Sequence, residues 1–327
     1  MRTAPLLLCL ACTPEPATTP DTGMDYSTGS SLTGGPGTTA YLRVVVWNIQ
    51  GVGRPGSVEY EAALAVLKRL DADIVGINEV DEYESNDLDA LAADLGLARV
   101  ANPSTNPFGG LHNALLTRMP VLDLGPVSAA DLSGDPSAND VTRSPVSLTL
   151  QDGTVFVVNH FKAGFDDIDE FRRSCDAVRT AQATGDGPAR VVMGDMNHEV
   201  ADGFDFPSTF TSIPSGAPSG FDLGQDLAAA LSDGLANNPF AHLEGSGLYH
   251  VEAAQKDGRT ATRDSSGRQI DYFSVSGAVA DRILGAEVYD ARDEHLDGGL
   301  PKPGPAPTRE STYEASDHFP LILDLSW

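Results

Sequence analysis

Val191-Val192-Met193-Gly194-Asp195-Met196-Asn197 reads as a short buried strand that ends in a polar turn. Val191, Val192 and Met193 are apolar and can be covered on both faces. Gly194 lets the backbone pass close to other groups. Asp195 and Asn197 lie two positions apart, so in extended geometry they share a side. The carboxylate can take a proton from water or bind a cation, and the amide can orient that water. A loop after any strand also favours Asp and Asn, so this stretch alone does not separate a plain turn from a site. Its recurrence along the chain does.

Leu42 to Trp47 is a β-branched run that reads as a strand ending at Asn48. Glu59 to Leu70 has helical spacing through Ala63, Val66, Leu67 and Leu70. A second strand, Asp73 to Asn78, ends at Glu79, and Leu88 to Leu95 is a second helix. Asn113 to Thr117 and Val121 to Leu124 continue the sheet. Thr142 to Leu150 and Thr154 to Asn159 form a hairpin about Gln151-Asp152-Gly153, with an Asp-Gly turn, and its second strand ends at His160. Asp169 to Ala183 is helical. A short helix is expected near Leu227 to Leu231 in an otherwise unreadable stretch. Gln269 to Val275 and Phe319 to Leu325 are the last strands, with a Pro- and Gly-rich excursion over residues 291–316 between them. Strand pairs mixed with helices predict an α/β protein of two packed sheets with helices outside.

Polar residues with useful chemistry therefore stand at the ends or beginnings of six strands: Asn48, Glu79, His160, Asp195 with Asn197, Asp271, and Asp317 with His318. Strand ends on one rim converge in space, and ligand sites form there. Each residue has a bland reading as a turn, a cap or a satisfied core histidine. Together they make a coherent set. Glu79 and Asp317 are hard oxygen donors that suit Mg²⁺ or Mn²⁺. Asp195 can act as a general base on water, with Asn197 and Asn48 holding that water, a phosphate oxygen or the metal's shell. Histidines beside carboxylates can be kept protonated and donate to a phosphoryl oxygen. A metal with an imidazolium meets the charge that develops when a phosphodiester is attacked. There is no P-loop glycine pattern and no Cys/His cluster of structural zinc type.

The ordered set Trp47-Asn48, Asn78-Glu79-Val80, Asn159-His160-Phe161-Lys162, Gly194-Asp195-Met196-Asn197, Ile270-Asp271-Tyr272 and Ser316-Asp317-His318-Phe319-Pro320 resembles the endonuclease/exonuclease/phosphatase superfamily, the DNase I-like fold. The resemblance spans residues 41–327. It implies a four-layer sandwich of two mixed β-sheets flanked by helices, and a divalent-metal-dependent phosphoesterase using Mg²⁺ or Mn²⁺. By the same resemblance Glu79 binds the metal, with Asn48 and Asp317 near it. Asp195 orients or deprotonates the attacking water, helped by Asn197. His318 contacts the scissile phosphate, with Asp271 as its orienting carboxylate. His160 matches the histidine of the secreted DNase and sphingomyelinase branches. Arg143 and Asn113 are phosphate-binding candidates. Met196 departs from the usual Phe and is expected to point into the core.

The chain has 327 residues, is 41% hydrophobic, and carries a formal charge of -26. That charge opposes broad binding to nucleic acid phosphates. Met1-Arg2 followed by Leu6-Leu7-Leu8-Cys9-Leu10 and Ala11-Cys12 looks like an export signal in residues 1–12. Small residue then cysteine resembles a bacterial lipobox with Cys12 lipidated; a plain secretion signal is the other reading. The apolar run is far shorter than the ~20 residues of a membrane-spanning helix. Residues 13–40, rich in Thr, Pro, Ser and Gly, read as a flexible tether, and residues 41–327 as the domain. Cys175 is the one cysteine left in that domain, so no internal disulfide is available to it.

The expectation is thus an exported or surface-tethered monomer that hydrolyses phosphodiesters. Nucleic acid is the first candidate substrate, and a loop with Arg259, Arg263 and Arg268 beside Asp271 is a candidate backbone contact. A sphingomyelinase-like lipid phosphodiesterase is the alternative, and a non-catalytic binding module on the same fold is the alternative of another class.

Overall fold

Parallel pairing of β1 (Tyr41–Asn48) with β2 (Ile74–Asp81) builds the centre of the first sheet, with Asn48 opposite Asn78 at its end. The crossover between them is α1 (Val58–Leu70), capped by the Ser57 hydroxyl, which accepts from the Tyr60 N–H. Glu59 and Glu61 stand in its first turn and Lys68 and Arg69 in its last, matching the helix dipole. A computed structural model describes residues 41–81, 85–100, 110–127, 141–202 and 238–327, all within one unit running from Thr39 to Trp327. Residues 1–40, with Cys12, and the helix expected near Leu227 to Leu231 lie outside the described residues.

In chain order there follow α2 (Ser85–Leu95), β3 (Ala98–Val100), β4 (Leu111–Thr117), β5 (Val121–Pro126), β6 (Val146–Leu150), β7 (Val155–Val158), α3 (Asp167–Ala183), β8 (Arg190–Asp195), α4 (Pro239–Gly245), β9 (Tyr249–His250), β10 (Asp271–Val275), α5 (Gly277–Ala280), β11 (Ile283–Val288), a 3₁₀ turn over Ala291–His295, α6 (Ser311–Ala315) and β12 (Leu321–Ser326). The first sheet has the order β11-β12-β1-β2-β4-β3 and the second β5-β6-β7-β8-β10-β9. Both are mixed.

Strand alternation sorts the apolar side chains into three cores. Leu42, Val44 and Val46 of β1 face the second sheet and meet Phe156 and Val158 of β7, Val191 and Met193 of β8 and Phe273 of β10. Val45 and Trp47 face the other way, onto Tyr60, Val66, Leu67 and Leu70 of α1 and Leu88 and Leu91 of α2. Val157 and Val192 face Ala177 and Ala181 of α3 and Phe240 and Leu243 of α4. The order helix, sheet, sheet, helix is the four-layer sandwich. Gly76 allows the two sheets to close, because a Cβ there would lie 2.5 Å from Val158 Cγ2.

Most predicted elements appear with shifted ends. The strand expected from Thr142 starts only at Val146. The Thr142 N–H donates instead to Asp176 Oδ1 at 2.6 Å, and Pro145 has no N–H for a ladder. The edge strand β11 went unread, since Ile283-Leu284-Gly285-Ala286-Glu287-Val288 has no alternating pattern. The excursion over residues 291–316 contains the 3₁₀ turn and α6.

One buried ion pair crosses the first sheet. Arg43 and Asp324 are register partners on β1 and β12. Arg43 Nε and Nη2 donate to the two Asp324 oxygens at 2.8 and 2.7 Å, and Nη1 donates to the Leu70 carbonyl at 3.0 Å. Replacing Asp324 by Ala would leave the guanidinium buried without its counter-charge. Asp324→Ala is expected to cost about 3–5 kcal/mol, read as a lower urea midpoint for global unfolding.

Candidate active site

The rim is assembled by strand direction. β1 and β2 run parallel, β1 ending at Asn48 and β2 carrying Glu79 two residues before its end; β7 and β8 run parallel and end before His160 and at Asp195. β10 and β12 run antiparallel to their neighbours, so their beginnings, not their ends, reach the same rim. Asp271 is thereby opposite Asp195, and Asp317 and His318 precede β12.

Glu79 sits in the left-handed region, φ 62°, where the β2–β4 register slips between Ile77 and Val80. This bulge turns the carboxylate out of the ladder and towards Asn48, whose amide Nδ2 donates to Glu79 Oε1 and to Asp195 Oδ2, each at 3.0 Å. Asp195 is buried. The chain does not stay extended beyond it. Asn197 adopts φ 50° and its N–H closes a turn on Asp195 Oδ1 at 2.8 Å. Its side-chain amide donates to the Phe161 carbonyl at 3.1 Å. The shared side expected from extended geometry is therefore replaced by an Asx-type turn, and Met196 points into the outer core.

Two histidines flank Asp195 and differ in charge. His318 Nδ1 is 2.8 Å from Asp271 Oδ2, and Nε2 is 3.9 Å from Asp195 Oδ2 and 3.6 Å from Asp317 Oδ1. Burial opposes its charge, but Asp271, aided by Asp195 and Asp317, raises its pKa to about 9. His160 Nε2 is 3.5 Å from Asp195 Oδ2 and 3.8 Å from Glu79 Oε1, and neither ring nitrogen makes a hydrogen bond. Burial, then the charges of Arg143, His318 and Lys162, hold His160 well below the ordinary imidazole pKa. So His160 is neutral, and of the two histidines beside carboxylates only His318 is kept charged. Burial and the neighbouring Asp271 push Asp195 up to about 7, with His318 and the hydrogen bonds from Asn197 and Asn48 pulling back.

Glu79, His160 and Asp195 bring one donor atom each within 4.8 Å of one another, and so do Asp195, Asp271 and His318. The first group has hard carboxylate oxygens and a neutral imidazole with an unpartnered nitrogen, a donor set that fits a divalent cation. Asp317 belongs to neither group. Its Oδ2 accepts from Arg263 Nε at 2.9 Å, while its buried Oδ1 has no hydrogen-bond partner. Arg143 is half-buried at the rim and donates to the carbonyls of His160 and Phe161 at 3.2 and 3.0 Å. Burial lowers its pKa, against the pull of Asp176, Glu79 and Asp195.

Asn113 is fully buried with both polar ends engaged. Its Nδ2 donates to the Ser144 carbonyl and Asn159 Oδ1, and its Oδ1 accepts from Asn78. It supports the site from within and does not face it. The residues that sequence reasoning left without a role are its partners. Asn78 Oδ1 accepts the Asp195 N–H at 3.0 Å, and Asn159 Oδ1 accepts the His160 N–H at 2.8 Å. Buried asparagines next to site residues are the signal that would have found them. Ser316 is another: its hydroxyl donates to the Asn48 carbonyl at 2.6 Å and accepts the His318 N–H.

The loop arginines are already engaged. Arg259 pairs with Asp257 and Asp290, Arg263 with Asp317, and Arg268 with Glu199 and Asp202. They offer their charge to the protein's own carboxylates and not to an open groove.

A buried carboxylate between a charged and a neutral imidazole, next to a cation-binding donor set, on the rim of a two-sheet sandwich, defines a metal-dependent phosphoesterase. The profile of the Endonuclease/Exonuclease/phosphatase family matches residues 45–318, and the chain belongs to that family. No curated protein matches the sequence. Among solved structures it is similar to the 3' phosphatase NExo from Neisseria bound to product DNA hairpin, with a TM-score of 0.55, 16% identity, and coverage of 88% of this chain and 100% of that one. A humanized TDP2 from D. rerio aligns with a TM-score of 0.53 and 13% identity, covering 88% and 99% of the two chains. An endonuclease/exonuclease/phosphatase from Beutenbergia cavernae aligns at 0.51 and 16%, covering 88% and 71%. At these identities the likeness is one of fold.

Asp195 must be ionised to accept a proton and His318 must be charged to donate one. The profile of kcat/KM against pH is expected to rise through about 7 and fall above about 9. Asp271→Asn removes the charge that raises both values, so both limbs should move to lower pH; a descending limb that stays in place would contradict the assignment.

Proposed function

We propose that the protein hydrolyses phosphodiester bonds of nucleic acid strands by metal-assisted attack of water. The observation that carries this reading is the placement of Asp195 Oδ2 at 3.5 Å from neutral His160 and 3.9 Å from charged His318. One side of that carboxylate faces a neutral imidazole, the other an imidazolium held by Asp271. Asp195, held by the Asn197 N–H and the Asn48 amide, takes the proton of the attacking water. His318 donates to a phosphoryl oxygen as charge builds there. Arg143, held by the His160 and Phe161 carbonyls, would take the same phosphate. A divalent ion held by Glu79 and Asp195, with His160 beside it, would supply Lewis-acid stabilisation of that phosphate. Mg²⁺ or Mn²⁺ suits these donors.

Nucleic acid as substrate is supported by the similar fold of the DNA-bound 3' phosphatase NExo, also described as a 3'-5' exonuclease. The acidic charge and the internally paired arginines favour few phosphate contacts at a time. Export, by a signal in residues 1–12 with or without a lipid on Cys12, is part of the same proposal; the mass of the mature protein tests it.

Asp195→Ala is expected to lower turnover by about 10²–10⁴-fold with the fold intact, and chelation of divalent metal should abolish activity until Mg²⁺ or Mn²⁺ is restored. A panel of plasmid, linear DNA, RNA, sphingomyelin and bis(4-nitrophenyl) phosphate, with Asp195→Ala as control, tests the substrate. Cleavage of sphingomyelin with no cleavage of DNA or RNA would replace the nucleic acid reading by the lipid one. On duplex DNA the slope of log kcat/KM against log salt should be shallow, about −1 to −2, as for one or two phosphate contacts.

A further inference from the structure

Helix α3 turns a carboxylate inward at the level of the site. Asp176 is fully buried. Its Oδ1 accepts the Thr142 N–H at 2.6 Å and its Oδ2 accepts the Lys162 N–H at 2.9 Å. These amides belong to two separate segments of the chain. Thr142 precedes Arg143; Lys162 follows His160 and Phe161, whose carbonyls accept from the Arg143 guanidinium. The contacts close a ring from Asp176 through Thr142 and Arg143 to Phe161, Lys162 and back. One turn along the same helix face, the Thr180 hydroxyl accepts from Asn159 Nδ2 at 2.7 Å, and Asn159 Oδ1 in turn accepts the His160 N–H.

Burying a carboxylate is costly, and burial lifts Asp176 to about 6 against the pull of those N–H groups and of Arg143. The cost has a geometric reason. Two N–H donors from different segments point at one side chain, each at its own oxygen. Asn has one oxygen, so its NH₂ would face one of the donors, and an apolar residue would leave both unsatisfied. The charge also lies next to the guanidinium, where it favours the cation that burial disfavours.

We propose that Asp176 is a positioning residue that holds the Arg143 and His160 segments in register and so aims the Arg143 guanidinium at the substrate phosphate. The inference rests on Arg143 being the phosphate-facing cation of the phosphoesterase site. Asp176 itself does not touch the substrate; it acts through Arg143.

The test is a double-mutant cycle on the full chain with bis(4-nitrophenyl) phosphate and Mn²⁺, combined with amide hydrogen exchange by NMR. Asp176→Asn is expected to lose about 10- to 100-fold in kcat/KM, as for a misplaced phosphate ligand. In the Arg143→Ala background the same change should cost less than about 3-fold, because the group through which it acts is gone. The Thr142 and Lys162 amides should lose exchange protection while the β7 and β8 amides keep theirs. Losses that multiply across the two backgrounds, or a folded Asp176→Asn within about 2-fold of wild type, would overturn the proposal. If Asp176→Asn does not fold, Asp176→Glu serves in the same cycle, since it keeps the charge and displaces the oxygens by one methylene. If the wild-type protein turns over no phosphoester, the phosphoesterase reading fails and the exchange arm decides alone: unchanged protection of both amides overturns the positioning role, and their selective loss supports it.

Discussion

The two sheets are locked at one rim by the Asn78 side chain. It stands on β2 of the first sheet, opposite the end of β1, and its oxygen accepts the Asp195 N–H in the second. Its amide donates to the Asn159 carbonyl and to Asn113. The approach is close enough that a Cβ on Gly194 would lie 3.2 Å from Asn78 Oδ1. Elsewhere the sheets meet through apolar side chains, which resist sliding only by their packing. Hydrogen bonds in a buried setting are directional and expensive to leave unmade. Asn78 therefore sets the relative height of β2, β7 and β8, and with it the spacing of Glu79, His160 and Asp195.

The site draws its chemistry from unequal burial of like groups. Both histidines are buried and both face Asp195, yet one is an imidazolium and the other a neutral imidazole. The difference is Asp271, 2.8 Å from His318 and without a counterpart at His160. A carboxylate with an unlike imidazole on each side can take a proton in one direction and be screened from the other. The donor set at Glu79, His160 and Asp195 is compatible with a cation for the same reason, since a neutral imidazole leaves its ring nitrogen free to ligate.

The acidic character of the chain and its phosphoester chemistry are reconciled locally. Arg259, Arg263 and Arg268 neutralise carboxylates of the same molecule, and Lys162 is 3.0 Å from Asp169. Positive charge is thus spent on holding loops around the rim in place. Arg143 is held at the rim by the backbone carbonyls of His160 and Phe161. This division fits an enzyme that engages one phosphate at a time more than one that wraps a polyanion.

By itself the sequence determined most of the longer strands, because apolar, Val-rich runs such as Val44 to Val46 and Val155 to Val158 have nowhere to go but into a sheet. It also determined which residues flank them, because Asn48, Glu79, His160 and Asp195 fall where an apolar run stops and Asp271 and His318 where one starts. Runs and their ends are local properties, so they can be read one segment at a time. Only the tertiary structure decided that Asn113 supports the site from within, that Asn197 closes a turn on Asp195, that the loop arginines are paired internally, and that His160 is neutral beside a charged His318. Each of these depends on a partner far away in the chain: Asn78 lies 117 residues from Asp195, Arg263 54 from Asp317, and Asp271 47 from His318. Charge state and hydrogen-bond partnership are properties of distance and burial, and no local pattern encodes them.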